Sequence, residues 1–133
     1  MSSSNQRFAV IDLGTNTFHL LITEALPAGG FSEVYRERKF TQLAEEGIET
    51  IGAAALQRGL KALQHFKQQL TAHQVEQVRA FGTAALRTAS NGPDFIRQVA
   101  EEIGIDIQLI SGTEEARLIH LGVLQAVEFT ADR

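Results

Sequence analysis

Residues 8–22 read FAVIDLGTNTFHLLI, and the fold depends on how this stretch is parsed. An apolar run ends at Asp12. Small and hydroxyl residues follow at Gly14-Thr15-Asn16-Thr17, and a second apolar run leads away from Phe18 to Ile22. That pattern predicts a strand, a tight turn and a returning strand. The turn carries more chemistry than chain reversal requires. Asp12 puts a carboxylate at the strand end, Gly14 lets backbone come close to a ligand, and Thr15, Asn16 and Thr17 bring side-chain donors. Backbone N–H groups together with such donors suit the oxygens of a phosphate. Gly, Asn and Thr are also ordinary turn residues. Two readings therefore stand: a phosphate-binding hairpin, or a hairpin whose turn residues serve only the turn.

The bulk properties narrow the field around this stretch. The chain has 133 residues, enough for one domain with a sizeable core. It is 44% hydrophobic and 21% charged, which indicates neither disorder nor a fibrous fold. Cysteine is absent, so disulfides, thiolate metal sites and cysteine nucleophiles are excluded, and a reducing compartment fits. The longest apolar runs are too short to cross a bilayer, and the opening MSSSNQR lacks the apolar core of a signal peptide. A cytoplasmic protein without membrane attachment is expected. Net charge is −4, with Lys and Arg scattered apart from a small cluster at 36–39. That argues against a nucleic-acid partner, which would call for a basic face, but it leaves room for local capture of a phosphate.

Taken in order, residues 1–7 are expected to form a disordered tail. Strands are predicted over about 8–13, 18–25 and 31–40, the last two separated by the turn Pro27-Ala28-Gly29-Gly30, to give an antiparallel meander. His19 lies inside the second strand and reads as a partly buried structural histidine, because no second His or carboxylate stands at ligand spacing. Residues 42–52 read as a loop whose Glu45, Glu46 and Glu49 are solvated. Leu56, Leu60, Leu63 and Leu70 recur at helical spacing and predict a helix over 53–70. His65 and His73 read as surface histidines. A fourth strand over 75–81 ends in Gly82-Thr83-Ala84-Ala85-Leu86-Arg87. Small residues at the carboxyl end of a strand are where open α/β sheets place ligands. Arg87 there is able to hold a phosphate through two parallel hydrogen bonds, or to form a surface ion pair. Pro93 and Asp94 begin a second helix that presents Phe95, Val99 and Ile103 on one face and closes at Gly104. A fifth strand is predicted over 105–110. The order is β-β-β-α-β-α-β, with a helix next, an α/β pattern.

That last helix opens with Ser111-Gly112-Thr113-Glu114, a capping box in which Ser111 caps and Glu114 reaches back to the Ser111 N–H. Glu114 thus has a structural task. Glu115 lies about 100° further around the helix, in line with Ile119, Gly122 and Ala126 on the apolar stripe. A carboxylate there is either a general base able to activate water or an N-terminal Glu that merely complements the helix dipole.

With these residues in place, the chain resembles the exopolyphosphatase/guanosine pentaphosphate phosphohydrolase (Ppx/GppA) family. VIDLGTNTFHLLI at 10–22, FGTAALRTASNGPDF at 81–95 and ISGTEEARLIHLGV at 110–123 carry the match in the family's order and spacing. The first motif alone is shared with sugar kinases and actin-like ATPases; the second and third are more specific. The resemblance implies a ribonuclease H-like domain of the actin-like ATPase superfamily over 8–126, a mixed five-stranded sheet, with 127–133 starting a hinge to a second domain. It implies hydrolysis of terminal phosphoanhydride bonds of inorganic polyphosphate or guanosine pentaphosphate in a cleft between two domains. Residue by residue, Asp12, Gly14, Thr15, Asn16 and Thr17 match the first phosphate loop, Arg87 an arginine on the phosphate chain, and Glu115 the general base. Mg²⁺ is implied as cofactor, its main ligand outside this chain, and a homodimer of the whole enzyme is implied as well. The family's second loop, of the type Asp-x-Gly-Gly-Gly-Ser, is missing before Arg133. The chain is therefore expected to fold but to have little activity alone. The alternatives are a sugar kinase- or ATPase-like enzyme of the same superfold, or a non-catalytic phosphate- or nucleotide-binding regulatory module.

Overall fold

The computed structural model describes residues 6–114. The expected meander is there: β1 (Arg7–Leu13), β2 (Thr17–Ala25) and β3 (Phe31–Phe40). They are followed by α1 (Ala53–Ala72), β4 (Gln77–Gly82), α2 (Ala84–Thr88), α3 (Gly92–Glu102) and β5 (Ile107–Leu109). The five strands form one mixed sheet in the order β3-β2-β1-β4-β5. β1 and β2, and β2 and β3, pair antiparallel, while β4 runs parallel to both β1 and β5.

Alternation along the strands sorts the side chains onto the two faces of the sheet. Ala9, Ile11 and Leu13 of β1 and Phe18, Leu20 and Ile22 of β2 point to one side and are buried. α1 and α3 lie against that side through Leu63, Phe66, Phe95 and Val99, all in the same core cluster. A fully buried aliphatic or aromatic side chain contributes about 1.5–3 kcal/mol, so this layer holds the domain together. β3 is an edge strand and is largely exposed, with Glu33–Arg36 and Glu37–Lys39 ion pairs along it. Charge on an edge discourages pairing with other chains. Among the described residues no helix is long and apolar enough to cross a membrane.

Several boundaries differ from the expected ones. Of the tail expected over 1–7, residues 1–5 lie outside the described residues, whereas Gln6 accepts a backbone bond from Ala25 and Arg7 already belongs to β1, where its guanidinium pairs with Glu24 and bonds the His73 carbonyl. The stretch 84–88, for which no element is predicted, is the short helix α2. β5 covers 107–109 instead of 105–110, because only those residues pair with β4. α3 ends as predicted: Gly104 takes φ +83° and its N–H returns to the Val99 carbonyl. At the next segment the N–H of Glu114 donates to Ser111 Oγ at 3.0 Å, one half of the expected capping pair.

Candidate active site

Three parallel strands, β1, β4 and β5, end at the same edge of the sheet, and each of the three motifs leaves from one of those ends. Leu13 lies in register with Gly82, and Gly82 with Leu109. The Thr83 N–H and hydroxyl both reach the Leu13 carbonyl at 3.3 Å, and the Ile110 N–H donates to the Gly82 carbonyl at 3.1 Å. The segment about 70 residues downstream thus sits directly beside the hairpin, and the one about 100 residues downstream lies one strand further along the same edge. Carboxyl ends of parallel strands are where α/β sheets place ligands.

The first turn is closed by the Gly14 N–H donating to the Thr17 carbonyl at 3.1 Å. A β-carbon on Gly14 would lie 3.0 Å from that same oxygen. Close approach within the turn, and not only approach to a ligand, therefore calls for glycine here. The turn is also tied from outside by the segment that leaves β3. The Thr41 and Gln42 N–H groups both donate to the Asn16 carbonyl, at 2.9 and 3.0 Å, and the Leu43 N–H donates to the Thr15 carbonyl at 2.8 Å. In a planar trans peptide the C=O and the N–H point opposite ways. With the Thr15 and Asn16 carbonyls turned toward 41–43, the N–H groups of Asn16 and Thr17 point away from that segment. Asn16 is exposed; Gly14, Thr15 and Thr17 are half-buried. This arrangement of amides and hydroxyl side chains is able to surround an anion.

Asp12 is completely buried one residue before the strand ends. Hairpin register sets it directly opposite His19, and His19 opposite Arg38 of β3. Strand partners share a face of the sheet, so a buried carboxylate, a buried imidazole and a guanidinium form one row. A carboxylate thus does stand next to His19, contrary to the sequence reading. Hairpin arithmetic, with residues paired when their numbers sum to 31, could have revealed it. Burial first, then the Arg38 charge, pull the His19 pKa below the ordinary value.

Arg87 sits on α2 and donates from Nη1 to the Ile110 carbonyl at 2.5 Å. Among the described residues it makes no ion pair, and the bond to Ile110 is a role that neither sequence reading named. It ties the second motif to the start of the third, using one of the five N–H groups of the guanidinium. Ser111 lies at the same edge, while Glu115 falls outside the described residues. Of the other described histidines, His65 contacts Glu37 at 2.9 Å and His73 caps α1 while stacking on Tyr35. Both serve the fold, and no three His, Asp or Glu side chains cluster as a metal site among the described residues. The sequence reading missed the contribution of 41–43, whose only local signal was its place after a strand.

Comparison with known proteins places this geometry. The profile of the Ppx/GppA phosphatase family matches residues 22–133. The crystal structure of an exopolyphosphatase from Cytophaga hutchinsonii is 40% identical, with TM-score 0.85 over 90% of this chain and 39% of that one. A Ppx/GppA family member from Aquifex aeolicus is 26% identical, with TM-score 0.84 over 92% of this chain and 40% of that one. A crystal structure described as an exopolyphosphatase-like protein is 28% identical, with TM-score 0.79 over 87% and 36%. The chain spans about two fifths of the length of these solved structures. The fold is the actin-like ATPase type, built on a mixed five-stranded sheet.

Proposed function

The chain belongs to the Ppx/GppA phosphatase family, and from that membership we propose that it forms the first half of an enzyme that hydrolyses the terminal phosphoanhydride bond of inorganic polyphosphate, guanosine pentaphosphate or both. One observation carries the reading: the three motif segments meet at the carboxyl ends of β1, β4 and β5. Such a reaction needs donors around the phosphoryl oxygens, a positioned water and a base. The Asn16 and Thr17 amides and the side chains of Thr15, Asn16 and Thr17, on the turn that Gly14 closes, hold oxygens of the end phosphate. Arg87, released from or sharing its bond to Ile110, adds a forked cation to the phosphate chain. Glu115 takes a proton from water as the water oxygen bonds to the terminal phosphorus and the bridging P–O bond breaks.

Mg²⁺ is typically held through one or two carboxylates together with phosphate oxygens. Asp12, a buried carboxylate at the strand end beside the turn, fits a single ligand of that kind. The remaining ligands would come from substrate and from a second domain across the cleft. The ion, when bound, offsets charge on the phosphoryl oxygens.

The test is phosphate release from polyphosphate and from guanosine pentaphosphate, by an enzyme comprising this chain and a second domain, with Glu115→Gln beside the parent. Loss of a general base lowers the rate by about 10²–10⁴-fold, and an undiminished rate in the variant would remove Glu115 from the mechanism. The 133-residue chain alone should release little phosphate; robust turnover by it would show that one jaw suffices.

A further inference from the structure

The segment that ties the first turn has features that do not favour its own stability. Gln42 adopts φ +50°, a left-handed conformation uncommon for a residue with a side chain. The Thr41 hydroxyl is buried and has no hydrogen-bond partner among the described residues. Something outside must hold these residues where their three N–H groups can reach Thr15 and Asn16. That holder is Arg58 on α1. Its Nε donates to the Thr41 carbonyl at 2.8 Å and its Nη2 to the Gln42 carbonyl at 3.3 Å, while Nη2 also lies 3.3 Å from Glu45 Oε1. The guanidinium therefore grips the far side of the two residues whose near side grips Asn16. Leu43, completely buried, sits against α1 beside Gly59 and fixes the segment's other end.

We propose that Arg58 is a positioning residue for the phosphate turn. Resting on the phosphate reading of Gly14–Thr17, the inference is that Arg58 keeps the Thr15 and Asn16 carbonyls turned inward and so keeps the Asn16 and Thr17 amides presented outward. It acts through the backbone of 41–42, without touching the anion. The planar fork matters because two carbonyls are held at once, which a lysine ammonium on its flexible stem does less well.

The experiment is titration of the ¹⁵N-labelled chain with sodium tripolyphosphate, followed at the amides of Asn16 and Thr17. The parent should give a saturable shift at both. Arg58→Ala should move the ligand-free signals of Asn16, Thr17 and 41–43, leave those of α3 in place, and weaken binding by about tenfold, the change expected when an anion site loses its preorganisation. Arg58→Lys should recover part of the affinity, to within about threefold of the parent. Val99→Ala, which trims the same core far from this segment, separates lost stability from lost positioning and should bind like the parent. Parent-like binding by Arg58→Ala, or an equal loss in Val99→Ala, overturns the inference. If Arg58→Ala does not fold, Arg58→Lys decides: an unchanged affinity together with unchanged Asn16 and Thr17 signals overturns it. A parent that shows no saturable shift refutes the phosphate reading itself, and the role of Arg58 falls with it, a result distinct from failure of the variants alone.

Discussion

The turn after β1 is held chiefly by hydrogen bonds, whereas its neighbour after β4 adds tight packing to its hydrogen bonds. In the first, Thr15 and Asn16 are held by three amides from 41–43, and the side chains remain half-buried or exposed. In the second, Ala85, Leu86 and Ala89 are buried, and Gly82 and Gly92 leave no space for a β-carbon: it would meet Leu86 Cδ1 at 2.9 Å in one case and the Leu86 carbonyl oxygen at 2.2 Å in the other. A site needs both kinds of support. A packed wall gives a reference surface, and a hydrogen-bonded rim keeps its polar groups available to a ligand.

The sharpest way to break this contrast is on the packed side. Gly92→Ala forces a methyl group against a backbone oxygen that cannot swing aside. It should cost about 3 kcal/mol or more of unfolding free energy, the upper part of the range for overpacking, measurable by urea denaturation. Gly14→Ala is the matched change on the hydrogen-bonded side. Its β-carbon would lie 3.0 Å from the Thr17 carbonyl, where the turn is able to give slightly. A loss of about 1 kcal/mol is expected, clearly smaller than for Gly92→Ala in the same assay; equal losses would mean that the two turns are not held differently. The smallest effect concerns the row beneath the first turn. His19 has a folded pKa below its ordinary 6.5, because burial and Arg38 disfavour the imidazolium. The unfolded chain therefore binds more protons as pH falls through 6.5, and stability drops below that pH while it is fully present above it. Comparing urea midpoints at about pH 7.5 and about pH 5.5, His19→Gln should show a shallower decline than the parent, and an unchanged decline would assign the pH dependence to other groups.

Much of this was legible in the residues, for physical reasons. The meander showed because apolar runs alternate with strong turn signals, and α1 and α3 showed because their leucines, Phe95 and Val99 repeat at helical spacing over more than two turns. α2 was hidden because five residues are too few to display a period, although Ala, Leu and Arg all favour helix. Asp12 and the residues of the first turn stood out as candidates from local composition. The bond between Arg87 and Ile110, and the grip of Arg58 on 41–42, did not, because each joins residues that only the sheet order and the packing of α1 bring together. Local pattern reports which residues can bind an anion; tertiary contacts decide which of them are held still.

The loop from β3 to α1 is moored at both ends. Residues 41–43 bind the first turn. At the other end Ser90 N–H reaches the Glu49 carbonyl, and the Asn91 side chain bonds both the N–H and the carbonyl of Ile51, as a neighbouring strand would. Only 44–48 lie between the moorings, with short local turn bonds and Gly47 at φ +113°. Changes in chain length are thus confined to that span: a residue added there lengthens a surface bulge, whereas one added on either side of it slips the chain past a partner and carries the first turn out of line with the second.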